Sequence, residues 1–251
     1  MSFWEFFRAL RRAAGLLSVI LAGFFRYHKS RRPDGRDALR EKLAWMQGMS
    51  RSFLRLLDCE ARVTGVVPRQ GLIVSNHLSY VDILVIGSVC PAVFVAKSEV
   101  RRWPIFGWLS EMAGAIFIER GRSRTVRDQL AEIIRPLAAG VPVVLFPEGT
   151  SSDGSRVLPF YSSLLEAARL AESPVTPCAI RYELDDAGCV SREVCYWGDM
   201  VFGGHLFKLL SKRSLRAEVS FGPPRPLVSD RKSEAARFQA EVAGLLGSCA
   251  P

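Results

Sequence analysis

Beyond about residue 61 the chain alternates short aliphatic runs with longer stretches of helical composition. Gly71–Ser75, Ala92–Ala96, Ala115–Ile118 and Val141–Phe146 are short and apolar throughout, the pattern of strands buried on both faces. Residues 80–89, 98–112 and 123–139 separate them and read as helices. Strand and helix alternate, which predicts an α/β fold: a central mixed, largely parallel sheet flanked by helices. Further strands are expected near 175–182, 192–197 and 215–221, and further helices near 162–172, 201–211 and 231–246. With no internal repeat or low-complexity linker, residues 61–251 read as one α/β domain.

The first sixty residues follow another pattern. The uncharged run Ala13–Phe25, AAGLLSVILAGFF, is preceded by Phe3, Trp4, Phe6 and Phe7 and flanked by Arg11, Arg12 and Arg26. A spanning helix needs about 20 apolar residues. This run is shorter, and a tilted helix starting at Phe3 would take in Arg8 only by snorkelling. A signal peptide has this charge order, yet the run ends without a clean small-x-small cleavage site. An interfacial anchor fits better, its aromatic and aliphatic residues at the headgroup boundary and its arginines reaching anionic phosphates. After Arg32-Pro33-Asp34-Gly35, apolar residues at Leu39, Leu43, Met46, Phe53 and Leu57 predict a second amphipathic helix running to about Asp58. That helix either completes a hairpin on a bilayer or packs on the globular domain. Residues 1–60 are expected to form membrane-associated helices.

Composition narrows the function classes. At 251 residues and 49% hydrophobic positions the chain can bury a large core, which excludes disorder, collagen and coiled coil. The net charge of +9 points to an anionic partner: nucleic acid, a membrane surface or a phosphorylated small molecule. Position discriminates among these. Residues 1–60 hold twelve basic and six acidic side chains, so +6 of the +9 sits with the apolar N-terminal run. That favours a membrane, and no nucleic-acid motif is present. The six cysteines contain no CxxC pair and the three histidines lie far apart, so neither a disulfide framework nor a dedicated metal site is expected.

In an α/β sheet, chemistry gathers outside the carboxyl ends of strands. Gly71–Ser75 is followed by Asn76-His77-Leu78-Ser79-Tyr80-Val81-Asp82. On one regular helix His77 and Asp82 would point about 140° apart, so contact between them requires a turn, which this junction supplies. One reading is a dyad: Asp82 accepts from one imidazole nitrogen while the other removes a proton from a substrate hydroxyl. It uses two thirds of a serine-hydrolase triad, with the substrate alcohol in place of the serine. The plainer reading makes Ser79-x-x-Asp82 a helix capping box and His77 a loop residue. Other strand ends supply Glu119-Arg120-Gly121-Arg122, suited to planar phosphate recognition, and Pro147-Glu148-Gly149-Thr150-Ser151-Ser152-Asp153-Gly154, suited to a polyol.

Four ordered blocks now carry a resemblance. Asn76–Asp82, Gly114–Arg120, Phe146–Thr150 and Val175–Cys178 resemble the motifs of the glycerolipid acyltransferases that act on 1-acylglycerol-3-phosphate, and Tyr196–Met200 resembles a segment of bacterial members. The resemblance implies that His77 is the general base and Asp82 its orienting partner, that Arg120 binds the acceptor phosphate, and that Glu148, Gly149 and Thr150 position the glycerol. Lys97 matches a basic position near that phosphate, and Val175–Cys178 would line the acyl side. The third motif departs from the family pattern. Ser151 follows the threonine where an arginine is common, which leaves the acceptor headgroup open.

On this reading the chain transfers an acyl group from acyl-CoA or acyl carrier protein to the sn-2 hydroxyl of lysophosphatidate, giving phosphatidic acid. It does so without a cofactor and at the cytoplasmic face of the bacterial inner membrane. A lyso-ornithine lipid is the alternative acceptor. A non-catalytic membrane-binding protein is the rival of another class, and it leaves His77, Asp82 and Glu148 unexplained. A lipase is disfavoured because no G-x-S-x-G elbow is present.

Overall fold

The computed structural model describes residues 1–29, 36–119, 126–186 and 188–247. Among them, seven strands form a single sheet in the order β1-β7-β6-β2-β5-β3-β4. The strands are β1 (Cys59–Thr64), β2 (Leu72–Ser75), β3 (Val93–Lys97), β4 (Ile116–Ile118), β5 (Val143–Leu145), β6 (Val175–Leu184) and β7 (Leu215–Phe221). Every pairing is parallel except β6 with β7. The expected fold is therefore present.

Side chains alternate across the sheet and build two cores. Ile73, Val144, Ile180 and Val219 face one cluster with Val85 and Ile86 of α3 (Val81–Val89) and Leu209 of α8 (Phe202–Ser211). Leu72, Val74, Val143 and Leu145 face the other, with Ile133 of α5 (Val126–Ala138) and Phe238 of α9 (Arg231–Gly247). Burial on both faces is why β2 and β5 read as unbroken apolar runs.

Several local expectations are corrected. Val190–Glu193 is a short helix, α7, and the region expected as a strand near 192–197 is not one. Its backbone is engaged elsewhere: Cys195 N–H donates to Val190 O and Tyr196 N–H to Leu78 O. The helix expected over 98–112 is divided into a 3-10 turn, Ser98–Arg102, and α4, Phe106–Met112, with Pro104 between them. The helix expected over 162–172 is confined to α6, Glu166–Leu170. The edge strand β1 was not anticipated. Its alternating charges, Glu60 and Arg62, mask its pairing with β7.

The N-terminal helices α1 (Phe3–Lys29) and α2 (Arg36–Leu57) pack against the α/β body. The second helix packs on the globular body: Leu43, Phe53, Leu54 and Leu57 are buried, and Arg51 Nε donates 2.9 Å to Ser88 O at the end of α3. Gly23 of α1 lies directly against the Met49 side chain of α2. Arg12, only 5% exposed, donates through Nη2 to Arg213 O at 3.1 Å and through Nη1 to Lys212 O and Leu210 O, so it caps the end of α8. By contrast Phe3, Phe7, Leu10, Leu17, Leu21 and Phe25 of α1 are exposed at helical spacing. Among the described residues no helix is long and apolar enough to cross a membrane.

Candidate active site

β2, β5, β3 and β4 run parallel, so their carboxyl ends open on one side of the sheet. The segment after β2 is shaped first by Asn76. Its side-chain amide accepts from Ile180 N–H at 2.8 Å and donates to Ile180 O at 3.0 Å, standing in for the next residue of a strand beside β6. The backbone is thereby released from the sheet and turns over the start of α3. That turn brings His77 and Asp82 together.

His77 Nδ1 lies 2.7 Å from Asp82 Oδ2. The same oxygen accepts the backbone N–H groups of Leu78 at 2.6 Å and Ser79 at 3.0 Å. Asp82 Oδ1 accepts the hydroxyl of Tyr182, from β6, at 2.6 Å. The carboxylate is fully buried. Both sequence readings therefore describe the same group. Asp82 performs the carboxylate half of the capping box, although Ser79 Oγ is buried without a partner, and it also holds the imidazole.

In the neutral imidazole, an Nδ1–H bound to the carboxylate leaves Nε2 as the acceptor able to take a proton. A fifth of the His77 side chain is exposed. Its ring stacks on Phe146 with centroids 4.2 Å apart and planes 19° apart, which fixes the ring plane without adding charge. The carbonyl of His77 accepts Ser152 N–H at 2.9 Å, tying the loop after β5 to the loop after β2.

Glu148 comes from that second loop and is 3% exposed. Its Oε1 accepts His77 N–H at 3.3 Å, and its Oε2 is buried without a hydrogen-bond partner. Burial, with the nearby Asp82 charge adding to it, pushes this carboxyl up to about 8, so it is uncharged at neutral pH. Gly149 follows with φ of 66°, a left-handed conformation that favours glycine. Thr150 is exposed. Ser151 does not face the open side: its hydroxyl donates to Tyr196 O, while Tyr196 N–H donates to Leu78 O at 2.8 Å. The Tyr196–Met200 segment is thus laced to both site loops.

The structure places the expected site residues differently. His77, Asp82 and Glu148 are brought into contact. Lys97 is exposed at the end of β3, on the same side of the sheet but in no contact with them. Arg120 lies outside the described residues. Val175–Cys178 is fully buried beside β2 and offers no open surface. Sequence reasoning missed Tyr182, Phe146 and the His205–Tyr80 pair. His205 Nε2 donates to Cys195 O at 2.9 Å, so its Nδ1 accepts from the Tyr80 hydroxyl at 3.0 Å. For Tyr182 the available signal was its place on the same face of β6 as Cys178 and Ile180, where a phenol needs a buried acceptor. Among the described residues no group of His, Cys, Asp and Glu could hold a metal ion.

The chain is similar to known proteins in sequence and in fold. The family model described as Acyltransferase matches residues 60–181. The chain is 43% identical over 180 residues to a lyso-ornithine lipid O-acyltransferase of Rhizobium meliloti, covering 66% of this chain and 62% of that one. It is 35% identical over 257 residues to a protein of the same name from Pseudomonas aeruginosa, covering 97% and 96%. A 1-acyl-sn-glycerol-3-phosphate acyltransferase of Neisseria meningitidis is 31% identical over 176 residues, covering 69% and 68%. The crystal structure of the 1-acyl-sn-glycerophosphate acyltransferase PlsC from Thermotoga maritima superposes with a TM-score of 0.67 at 22% identity, covering 97% of this chain and 98% of that chain, a likeness of fold.

Proposed function

The chain belongs to the acyltransferase family, and on that premise we propose that it transfers an acyl group from a thioester donor to the free hydroxyl of a lysolipid, with His77 as general base. The observation that carries the reading is the 2.7 Å contact of His77 Nδ1 with a buried Asp82 while Nε2 is left open. The hydroxyl oxygen attacks the thioester carbonyl as Nε2 takes its proton, and Asp82 stabilises the resulting imidazolium. The carbon–sulfur bond then breaks and the departing thiolate takes the proton back from His77. Glu148, uncharged at neutral pH, places a hydrogen-bonding carboxyl beside the reacting centre without competing for that proton.

For the acceptor we favour lyso-ornithine lipid. The match to the Pseudomonas aeruginosa protein of that name runs nearly the full length of both chains. Ser151 adds a physical reason. Where the resembling family often carries an arginine, this chain has a small hydroxyl turned inward to Tyr196 O, so that position brings no cation to a phosphate. Lysophosphatidate is the second reading, supported by the likeness to the Neisseria meningitidis protein.

Membrane attachment through α1 accompanies the reading. The exposed apolar stripe from Phe3 to Phe25 and the exposed Arg11, Arg26 and Lys29 suit a helix lying in the interface of an anionic leaflet. We place it at the cytoplasmic face of the inner membrane. One assay tests the function: protein in vesicles is offered acyl-CoA or acyl carrier protein with lyso-ornithine lipid or lysophosphatidate. Transfer to lyso-ornithine lipid is expected, reduced about 10²–10⁴-fold in His77→Ala, the usual contribution of a general base. Near-normal turnover in His77→Ala defeats the mechanism, and transfer to lysophosphatidate alone selects the second acceptor.

A further inference from the structure

Asp82 distributes its hydrogen bonds unequally. Oδ2 receives the imidazole and two backbone N–H groups, whereas Oδ1 receives the Tyr182 hydroxyl. Tyr182 stands a hundred residues further along the chain and 3% exposed, in the apolar cluster that also holds Cys178 and Ile180. A phenylalanine would fill the same volume. What the hydroxyl adds is a donor to a buried anion, and a phenol without a partner would be costly to bury there. Its delivery is also specified. The Asn76 amide grips the backbone of Ile180, two positions before Tyr182, so the register that turns the His77 loop is the one that brings the phenol behind Asp82.

We propose that Tyr182 is a positioning residue for acyl transfer: by bonding Oδ1 it keeps the Asp82 carboxylate oriented with Oδ2 towards His77, and it takes up part of the charge that would otherwise draw the imidazole proton. The inference rests on the His77–Asp82 reading and extends it to a residue on another strand. Four other titratable groups surround the pair: Glu148 from the loop after β5, Cys178 and Tyr182 itself from β6, and Cys195 ahead of α8. Burial pushes Glu148 up to about 8, both thiols up to about 12, and the phenol well above its ordinary value. At neutral pH all four are uncharged, so the charge facing His77 from these groups is that of Asp82, and Tyr182 is positioned to modulate it.

The sign of the effect follows. Losing the phenol donor makes the carboxylate more basic, which stabilises the protonated imidazole and moves the base form of His77 to higher pH. Tyr182→Phe removes one oxygen and keeps the ring. The pH at which His77 becomes reactive to diethyl pyrocarbonate, read peptide by peptide with the mass spectrometer, needs no acceptor and reports the neutral imidazole directly. In Tyr182→Phe this midpoint and the acid limb of kcat/KM are expected to rise together by about half to one pH unit. Site-specific 3-fluorotyrosine at position 182, a stronger donor in the same packing, is expected to lower both.

A midpoint unmoved in both proteins overturns the proposal and leaves Tyr182 as a core residue. If the phenylalanine variant does not fold, the fluorotyrosine protein decides alone, since it preserves shape and hydrogen bond. His77→Ala separates the two levels. Normal turnover there overturns the dyad reading and this role with it, whereas lost turnover beside an unmoved midpoint removes Tyr182 alone.

Discussion

Arg12 ties α1 to the folded body, beside the buried Ala9 and the bond from Trp45 Nε1 to Gly23 O. Its guanidinium donates to Leu210 O in the last turn of α8 and to Lys212 O and Arg213 O just beyond it, while Arg8, one turn earlier, donates to Ser211 O at 2.9 Å. Carbonyls at a helix C-terminus carry partial negative charge, and a cation there contributes about 0.3–1 kcal/mol, up to ~2 when partly buried. Hydrogen bonds to a charged group are each worth about 1.5–3 kcal/mol net. Opposing this is the cost of burying the charge: Nε is buried without a partner, and desolvation lowers the proton affinity of the guanidinium. Arg12→Ala removes the bonds and leaves a gap that water can enter to reach the freed carbonyls, so the expected loss is about 3 kcal/mol, at the lower end for breaking a buried charge pair. Arg12→Met keeps the stem packing and should lose roughly half of that. Urea unfolding of the full chain in mild detergent measures both, and hydrogen exchange at Leu209–Lys212 reports the helix end. Arg11, exposed on the same helix, is the control and should change stability by less than about 0.5 kcal/mol. An Arg12→Ala variant as stable as Arg11→Ala, with α8 exchange unchanged, would refute the reasoning.

Two further outcomes follow from the same structure. Glu148 holds its proton up to about 8 when folded, against an ordinary 4.5, so the folded state binds more protons between those values and stability should fall as pH rises from about 4.5 through about 8. Glu148→Gln should flatten that slope by up to one proton in unfolding titrations, and an identical slope in both proteins would mean that the carboxyl is ionised when folded. On α1, Leu10 and Leu17 are exposed and Arg12 is not, so Leu10→Glu with Leu17→Glu should spare the fold. Each buried aliphatic side chain is worth about 1.5–3 kcal/mol, so binding to anionic vesicles should weaken by at least ~100-fold. Unchanged sedimentation with such vesicles would exclude this face as the lipid contact.

The order of strands and helices was legible because β2 and β5 are short runs buried on both faces and β3 begins as one, whereas β1 was not, because it lies at the sheet edge and displays charge. The split at Pro104 is legible as well, because a proline disfavours the helical conformation of the residue before it. For the site, the legible part is the part local in sequence. His77 and Asp82 are five residues apart, and a turn was the single assumption needed to join them. Glu148 entered through a motif, but its raised proton affinity depends on packing against the His77 loop, which no spacing encodes.

Tyr182 shows why the rest was not legible. Its contact with Asp82 requires the parallel register of β2 with β6, the Asn76 amide extending that register by one residue, and a β6 that continues past the end of β2. Each is a tertiary fact about strands a hundred residues apart. The same register explains why the sequence offered two accounts of Asp82. As a capping carboxylate it needs only Leu78 and Ser79, which are neighbours; as an imidazole partner it needs its second oxygen held as well, and that donor comes from across the sheet. Local pattern therefore presented the carboxylate as an ordinary helix start, and the distant strand supplies the contact that distinguishes it from one.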